Sequence, residues 1–258
     1  MAAPLVETKL HAPAVRPDLV DRPRLRQRVQ RGWRSKLTLV SAPAGFGKST
    51  LLAASLAETE GGSAAWLSLD QADNDPIAFW SHLIVAMQTI VPGVGASVLA
   101  AIEAGESPGQ PMLGKLINDL RSQSIILILD DYHLIERSEI HEGLDFLLER
   151  MPPGLHLVIG TRSDPPLPLA RLRARSELVE VRAADLRFTT DEAEVYLRGA
   201  VGIELTNGEI STLAQRTEGW IAALQLAALS LEGRDEVAEY IAGFAGDDRY
   251  IVDYLVEE

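Results

Sequence analysis

From Leu37 to Thr50 the chain runs Leu-Thr-Leu-Val-Ser-Ala-Pro-Ala-Gly-Phe-Gly-Lys-Ser-Thr: a short apolar run, a loop of small residues, then Lys48, Ser49 and Thr50. The spacing Ala42-x4-Gly47-Lys48-Ser49 fits the phosphate-binding loop, with Ala where the first Gly usually stands. Each residue type has a physical task. Successive backbone N–H groups must curl around phosphate oxygens, and Gly45 and Gly47 permit dihedrals and a close approach that a Cβ would obstruct. A helix opening near Lys48 turns its positive end toward the same anion. Lys48 adds a point charge at the β- and γ-phosphates, and the Ser49 hydroxyl can ligate Mg2+. Such a site suits a nucleoside triphosphate with magnesium.

A second landmark is Ile125-Ile-Leu-Ile-Leu-Asp130-Asp131, five apolar residues followed by two carboxylates. Buried parallel strands read this way, and their carboxyl ends are where α/β sheets hold ligands. One carboxylate there can hold Mg2+ through its water shell while the next orients an attacking water. A strand closed by an Asx turn is the plain alternative. His156-Leu-Val-Ile-Gly-Thr161-Arg162 repeats the design and ends in a guanidinium, whose planar fork suits bidentate contact with a terminal phosphate. A surface ion pair is the other reading of Arg162. The five histidines (His11, His82, His133, His141, His156) show no metal-ligand spacing, and there is no G-x-S-x-G elbow.

The elements that must position these residues follow from local pattern. Pro4, Pro13 and Pro17 make residues 1–20 an extended arm, and Val20-Asp-Arg-Pro-Arg-Leu25 leads into a basic helix through about Gln30. After the phosphate loop a helix runs to about Glu58, closed by Gly61-Gly62. Ala64–Asp70 reads as a second strand, and Asp75-Pro76 as a cap with Pro in the first helical position. Residues 91–111 read as an irregular or partly helical insertion. A last strand is expected near Glu177–Arg182. From Thr189 the texture changes: Thr189-x-x-Glu192 and Thr206-x-x-Glu209 are capping boxes, each opening a short helix. Glu218–Leu231 makes a third helix, apolar almost all round. The expected architecture is α/β, a P-loop NTPase parallel sheet with helices on both faces, followed by a small all-α domain. The divisions fall at 1–35 (arm and basic helix), 36–187 (nucleotide-binding domain) and 188–258 (helical domain). A helical pattern over Tyr250–Glu258 has no cap or breaker, as expected of a piece of a longer protein.

Composition bounds the rest. The 258 residues are 47% hydrophobic and 24% charged, which is ordinary for a globular chain and gives no sign of disorder. Without a long apolar run or a signal-peptide pattern, a soluble cytoplasmic protein with no membrane partner is expected. Zero cysteines exclude disulfides and thiol catalysis. The net charge of −13 argues against nucleic-acid binding by the whole chain. Residues 1–36 are locally basic, with nine Lys/Arg against three Asp/Glu, and residues 232–258 are acidic.

Taken in order, these residues resemble the nucleotide-binding part of MalT-like transcriptional activators, the large ATP-binding regulators of the LuxR type within the STAND class of P-loop ATPases. The matching features are Thr8-Lys9-Leu10, Arg22-Pro-Arg-Leu25, Ser41–Thr50, Asp130-Asp-Tyr-His-Leu134, Thr161-Arg162, Pro166–Leu172, Asp185-Leu-Arg-Phe188, Thr217-Glu-Gly-Trp220 and Leu224–Leu229. The resemblance implies a sheet with its phosphate-loop strand central and a helical domain packed over the nucleotide. It implies ADP in the resting state, self-association with ATP, and slow hydrolysis as a reset. DNA would be bound only through a C-terminal domain beyond residue 258, after a winged-helix domain. The implied cradle is Ala44, Gly45, Phe46, Gly47, Lys48, Ser49 and Thr50, with Val20 and Arg22 by the adenine. Ser49 and Asp130 would serve Mg2+, Asp131 the water and Arg162 the terminal phosphate. The family's Gly-x-Pro at the start of the buried helix is here Gly219-Trp-Ile221, which leaves that helix's adenine contact open. A P-loop phosphotransferase acting on a small molecule is the alternative function.

Overall fold

Strands that are apolar along their whole length need cover on both faces, and they receive it. The computed structural model describes residues 5–16, 19–57, 64–200, 205–231, 240, 241 and 243. After a 3₁₀ turn at Glu7–Leu10 come α1 (Pro23–Gly32), β1 (Leu37–Ser41), α2 (Lys48–Ala57) and β2 (Ala64–Ser68). Three helices follow, α3 (Pro76–Gln88), α4 (Ala96–Glu103) and α5 (Gln110–Asp119), then β3 (Ile125–Asp130) and α6 (Ser138–Glu149). The α/β part ends with β4 (Leu155–Thr161), α7 (Leu169–Ala174), β5 (Leu178–Arg182) and α8 (Ala183–Leu186). Beyond it lie α9 (Thr190–Ala200), α10 (Asn207–Arg216) and α11 (Ile221–Leu231).

The five strands form one sheet in the order β2-β3-β4-β1-β5, every pairing parallel. Alternation divides their side chains. Leu37, Leu39, Leu127, Leu129, Leu157 and Ile159 join α3 to α6 in one core, whereas Val40, Ile126, Ile128 and Val158 pack with Leu25, Leu51 and Leu52 of α1 and α2 in the other. A third apolar cluster gathers residues of α9, α10 and α11. Among the described residues no helix is long and apolar enough to cross a membrane.

Local signals operate as their chemistry requires. The Asp75 side chain accepts from the Ala78 N–H at the start of α3, with Pro76 in the first turn, a cap that contributes about 1 kcal/mol. Both threonine capping boxes form, Thr189 with Glu192 and Thr206 with Glu209. Other expectations need correction. The N-terminal arm is not wholly extended, because its 3₁₀ turn is anchored by Lys9, whose ammonium meets Asp73 at 2.5 Å and Asp70 at 3.1 Å. Asp73 is fully buried and also meets His82 Nδ1 at 2.6 Å. Burial would raise its carboxyl pKa, but the His82 and Lys9 contacts and the Asp70 N–H outweigh this and hold it below the usual range. Residues 91–111 are partly helical, as expected, through α4 and the start of α5. The third helix of the C-terminal part starts at Ile221 rather than Glu218, since Glu218 and Gly219 are left-handed at φ 50° and 70°. The phosphate-loop strand β1 is interior, but β4 takes the central place because only β5 lies beyond β1. Gly61-Gly62 and Tyr250–Glu258 lie outside the described residues.

Candidate functional site

At the carboxyl end of β1 the chain turns through residues 42–47 and enters α2 at Lys48. Gly45 and Gly47 take φ of 71° and 75°, the left-handed region that glycine occupies without steric cost. Lys48 is buried to 7% exposure, and its Nζ donates to the Pro43 carbonyl at 3.0 Å across the mouth of the loop. Thr50 sits in the first turn of the same helix.

Asp130 ends β3 with 3% of its surface exposed. Burial pushes its carboxyl pKa up, while a hydrogen bond from the Ser49 hydroxyl and the charge of Lys48 pull the other way. The sheet thus brings Lys48, Ser49 and Asp130 together from elements far apart in sequence. Asp130 Oδ1 is buried with no hydrogen-bond partner. A hydroxyl and a carboxylate side by side, one oxygen lacking a donor, form a set of hard ligands that fits Mg2+. Asp131 is left-handed at φ 57°, carries a half-exposed side chain and lies 4.0 Å from His133 Nδ1.

Arg162 follows the last residue of β4 and is half-buried. Its loop is pinned on both sides: the Thr161 hydroxyl donates to the Ser163 carbonyl at 2.8 Å, and Asp164 accepts from Ser41 at 3.3 Å and pairs with Arg182 at the end of β5. Arg182 also meets Glu180 at 2.5 Å, and Arg173 meets Glu180 at 2.8 Å. Those two guanidinium contacts, Arg173 first, hold the Glu180 carboxyl down at about 2. The sequence reading passed over this network, whose signal is a charged residue on each of three separate elements.

Val20 is buried, and Arg22 lies 4.4 Å over the Phe188 ring, with Nη2 donating to the Arg187 carbonyl at 2.9 Å and facing Glu192 at 3.1 Å. Its guanidinium is engaged by the start of the helical segment. That segment reaches the phosphate loop through α11. Trp220 Nε1 donates to the Ala44 carbonyl at 3.2 Å, the Ala222 N–H donates to the Gly45 carbonyl at 3.2 Å, and the Phe46 and Trp220 rings stack at 6.2 Å. These bonds occupy the carbonyls of two loop residues, and backbone N–H groups of such a loop are the donors that an anion would use. Trp220→Phe keeps an aromatic ring beside Phe46 but removes the donor and part of the indole; it should lower unfolding stability by about 1 kcal/mol or more in chemical denaturation. An unchanged midpoint would remove this bond from the account.

The chain has relatives of known name. Serine/threonine-protein kinase PknK of Mycobacterium tuberculosis H37Rv is 36% identical over 98% of this chain and 23% of its own length. HTH-type transcriptional regulator MalT of Serratia proteamaculans is 35% identical over 98% of this chain and 28% of its own. The chain therefore spans about a quarter of the length of these relatives. Among solved structures, a Walker-type ATPase of Pyrococcus abyssi superposes with a TM-score of 0.58 at 16% identity, covering 94% of this chain and 75% of that one. No protein-family model matches.

Proposed function

We propose, from the premise that this chain is a MalT-like P-loop NTPase, that it is a switch module which binds ATP or ADP and is reset by slow ATP hydrolysis. The observation supporting this reading is the seat of α11 on the phosphate loop. Trp220 and Ala222 hold the carbonyls of two loop residues, Ala44 and Gly45; with phosphates bound in this loop, a change in their number would bear directly on the helical segment.

In this proposal the loop N–H groups and Lys48 bind the β- and γ-phosphates, and Thr50 faces the α-phosphate side. Ser49 and Asp130 hold Mg2+, which when bound neutralises charge building on the phosphate oxygens. Asp131 orients the attacking water. Val20 and Arg22 line the adenine side. Residues 36–187 are the binding domain and residues 188–258 the domain that reads it. For a longer regulator containing this chain, ATP-dependent self-association, DNA binding through a C-terminal region and a cytoplasmic location complete the reading.

The test is discrimination between the nucleotides. Arg162 follows β4 at the sheet's carboxyl edge, where a guanidinium can contact a terminal phosphate that ADP lacks. Arg162→Ala should weaken ATP by roughly 1.5–3 kcal/mol in titration calorimetry and leave ADP nearly unchanged. Equal losses for both nucleotides would make Arg162 structural, and no loss for either would remove it from the site.

A further inference from the structure

We infer that Gly160 is a positioning residue for Asp130, its missing side chain leaving the passage through which that carboxylate crosses β4 to reach Ser49. The inference rests on the reading of Asp130 as the Mg2+-holding carboxylate.

The sheet order creates the need. The acidic strand β3 and the loop strand β1 are not neighbours, because β4 runs between them. At the usual strand spacing this separates β3 from β1 by about 10 Å. The Asp130 carboxylate nevertheless lies over β4 on the α2 side, with Oδ1 close to the space beside Gly160 and Leu52 of α2 at the same place, and Ser49 at the start of α2 is among the groups that pull its pKa down. Ile128 and Val158 both face α2, so Asp130 and Gly160, each two residues further along its strand, face the same way. On β4, Gly160 is paired with Val40 of β1.

A Cβ on Gly160 would stand 2.4 Å from Asp130 Oδ1 and 3.3 Å from Leu52 Cδ1. The first distance is impossible for real atoms, so the buried Asp130 carboxylate would have to move from its place. Backbone freedom does not explain the glycine, since Gly160 is absent from the positive-φ residues and lies in regular strand. A strand interior is a costly place for glycine, so the space it leaves is the reason for it.

The experiment compares wild type, Gly160→Ala, Asp130→Ser and the double variant. In excess EDTA, Gly160→Ala should bind ADP as wild type does, which reports an intact loop. The Mg2+ concentration giving half-maximal enhancement of ATP binding should rise about tenfold, as for residues that orient a metal ligand. The thermal midpoint lost on adding the methyl should be largely recovered in the Asp130→Ser background, where the carboxylate is gone. Unaltered Mg2+ dependence in folded Gly160→Ala, or the same midpoint loss in both backgrounds, would overturn the inference. If Gly160→Ala does not fold, a folded double variant supports the contact and an unfolded one overturns it. Wild-type Mg2+ dependence in Asp130→Ser would overturn the metal reading itself, and this role of Gly160 with it.

Discussion

Asp131→Asn should lower steady-state ATP turnover by about a hundredfold or more while leaving ATP affinity within a few-fold of wild type. The asymmetry follows from position. Asp130, buried at the end of β3, faces Ser49, whereas Asp131 is the next residue, turned out of the strand with its carboxylate half-exposed. An acceptor there is suited to hold a water rather than a phosphate. The substitution is also conformationally clean. Residue 131 sits at φ 57°, where Asn and Asp are tolerated far better than other non-glycine residues, so Asn keeps the turn and removes only the charge. Alanine would combine the loss of the carboxylate with backbone strain. Phosphate release by Asp131→Asn at the wild-type rate would exclude the residue from the chemistry.

The second large effect is on binding. Lys48→Ala should weaken ATP by roughly 1.5–3 kcal/mol, about ten- to a hundredfold, because a charge-assisted contact is lost while the backbone donors of the loop remain. Lys48 Nζ already lies within the loop, 3.0 Å from the Pro43 carbonyl, so little ordering of the side chain is needed for it to meet a phosphate. Calorimetry giving equal affinities for wild type and Lys48→Ala would defeat the assignment. A thermal melt of the variant without nucleotide separates loss of the site from loss of the fold.

Much of the architecture was legible because its signals are local. Ile125–Leu129 is apolar on consecutive residues and ends in carboxylates, the pattern of a doubly covered strand; Ala42–Ser49 carries its spacing within one short stretch; Asp75-Pro76 and the two threonine boxes announce helix starts. Relations between distant segments were not legible. Nothing in the run from Leu155 to Thr161 says that β4 lies between β1 and β3, and so nothing marks Gly160 as more than a small residue in a strand. The engagement of Arg22 by Arg187 and Glu192, and the Asp164–Arg182 pair, likewise join segments whose approach only the fold decides. The start of α11 was misread for a smaller reason. The run from Glu218 is apolar enough for a helix, but two left-handed residues delay it to Ile221.

The strand pairing also bears on how the protein is made. β1 is synthesised before both of its hydrogen-bonding partners, β4 and β5, with Leu37 set against Leu157 on one side and Leu178 on the other. A nascent chain therefore carries an apolar, unpaired β1 until nearly the whole α/β portion has left the ribosome. Loop closure over so long a stretch is slow, and exposed strand edges invite aggregation in the interval. The phosphate loop cannot take its final shape earlier, since the strand that feeds it is not yet held. Nucleotide should consequently be captured late in biogenesis, and chains halted between α6 and β5 should fall to proteases or chaperones.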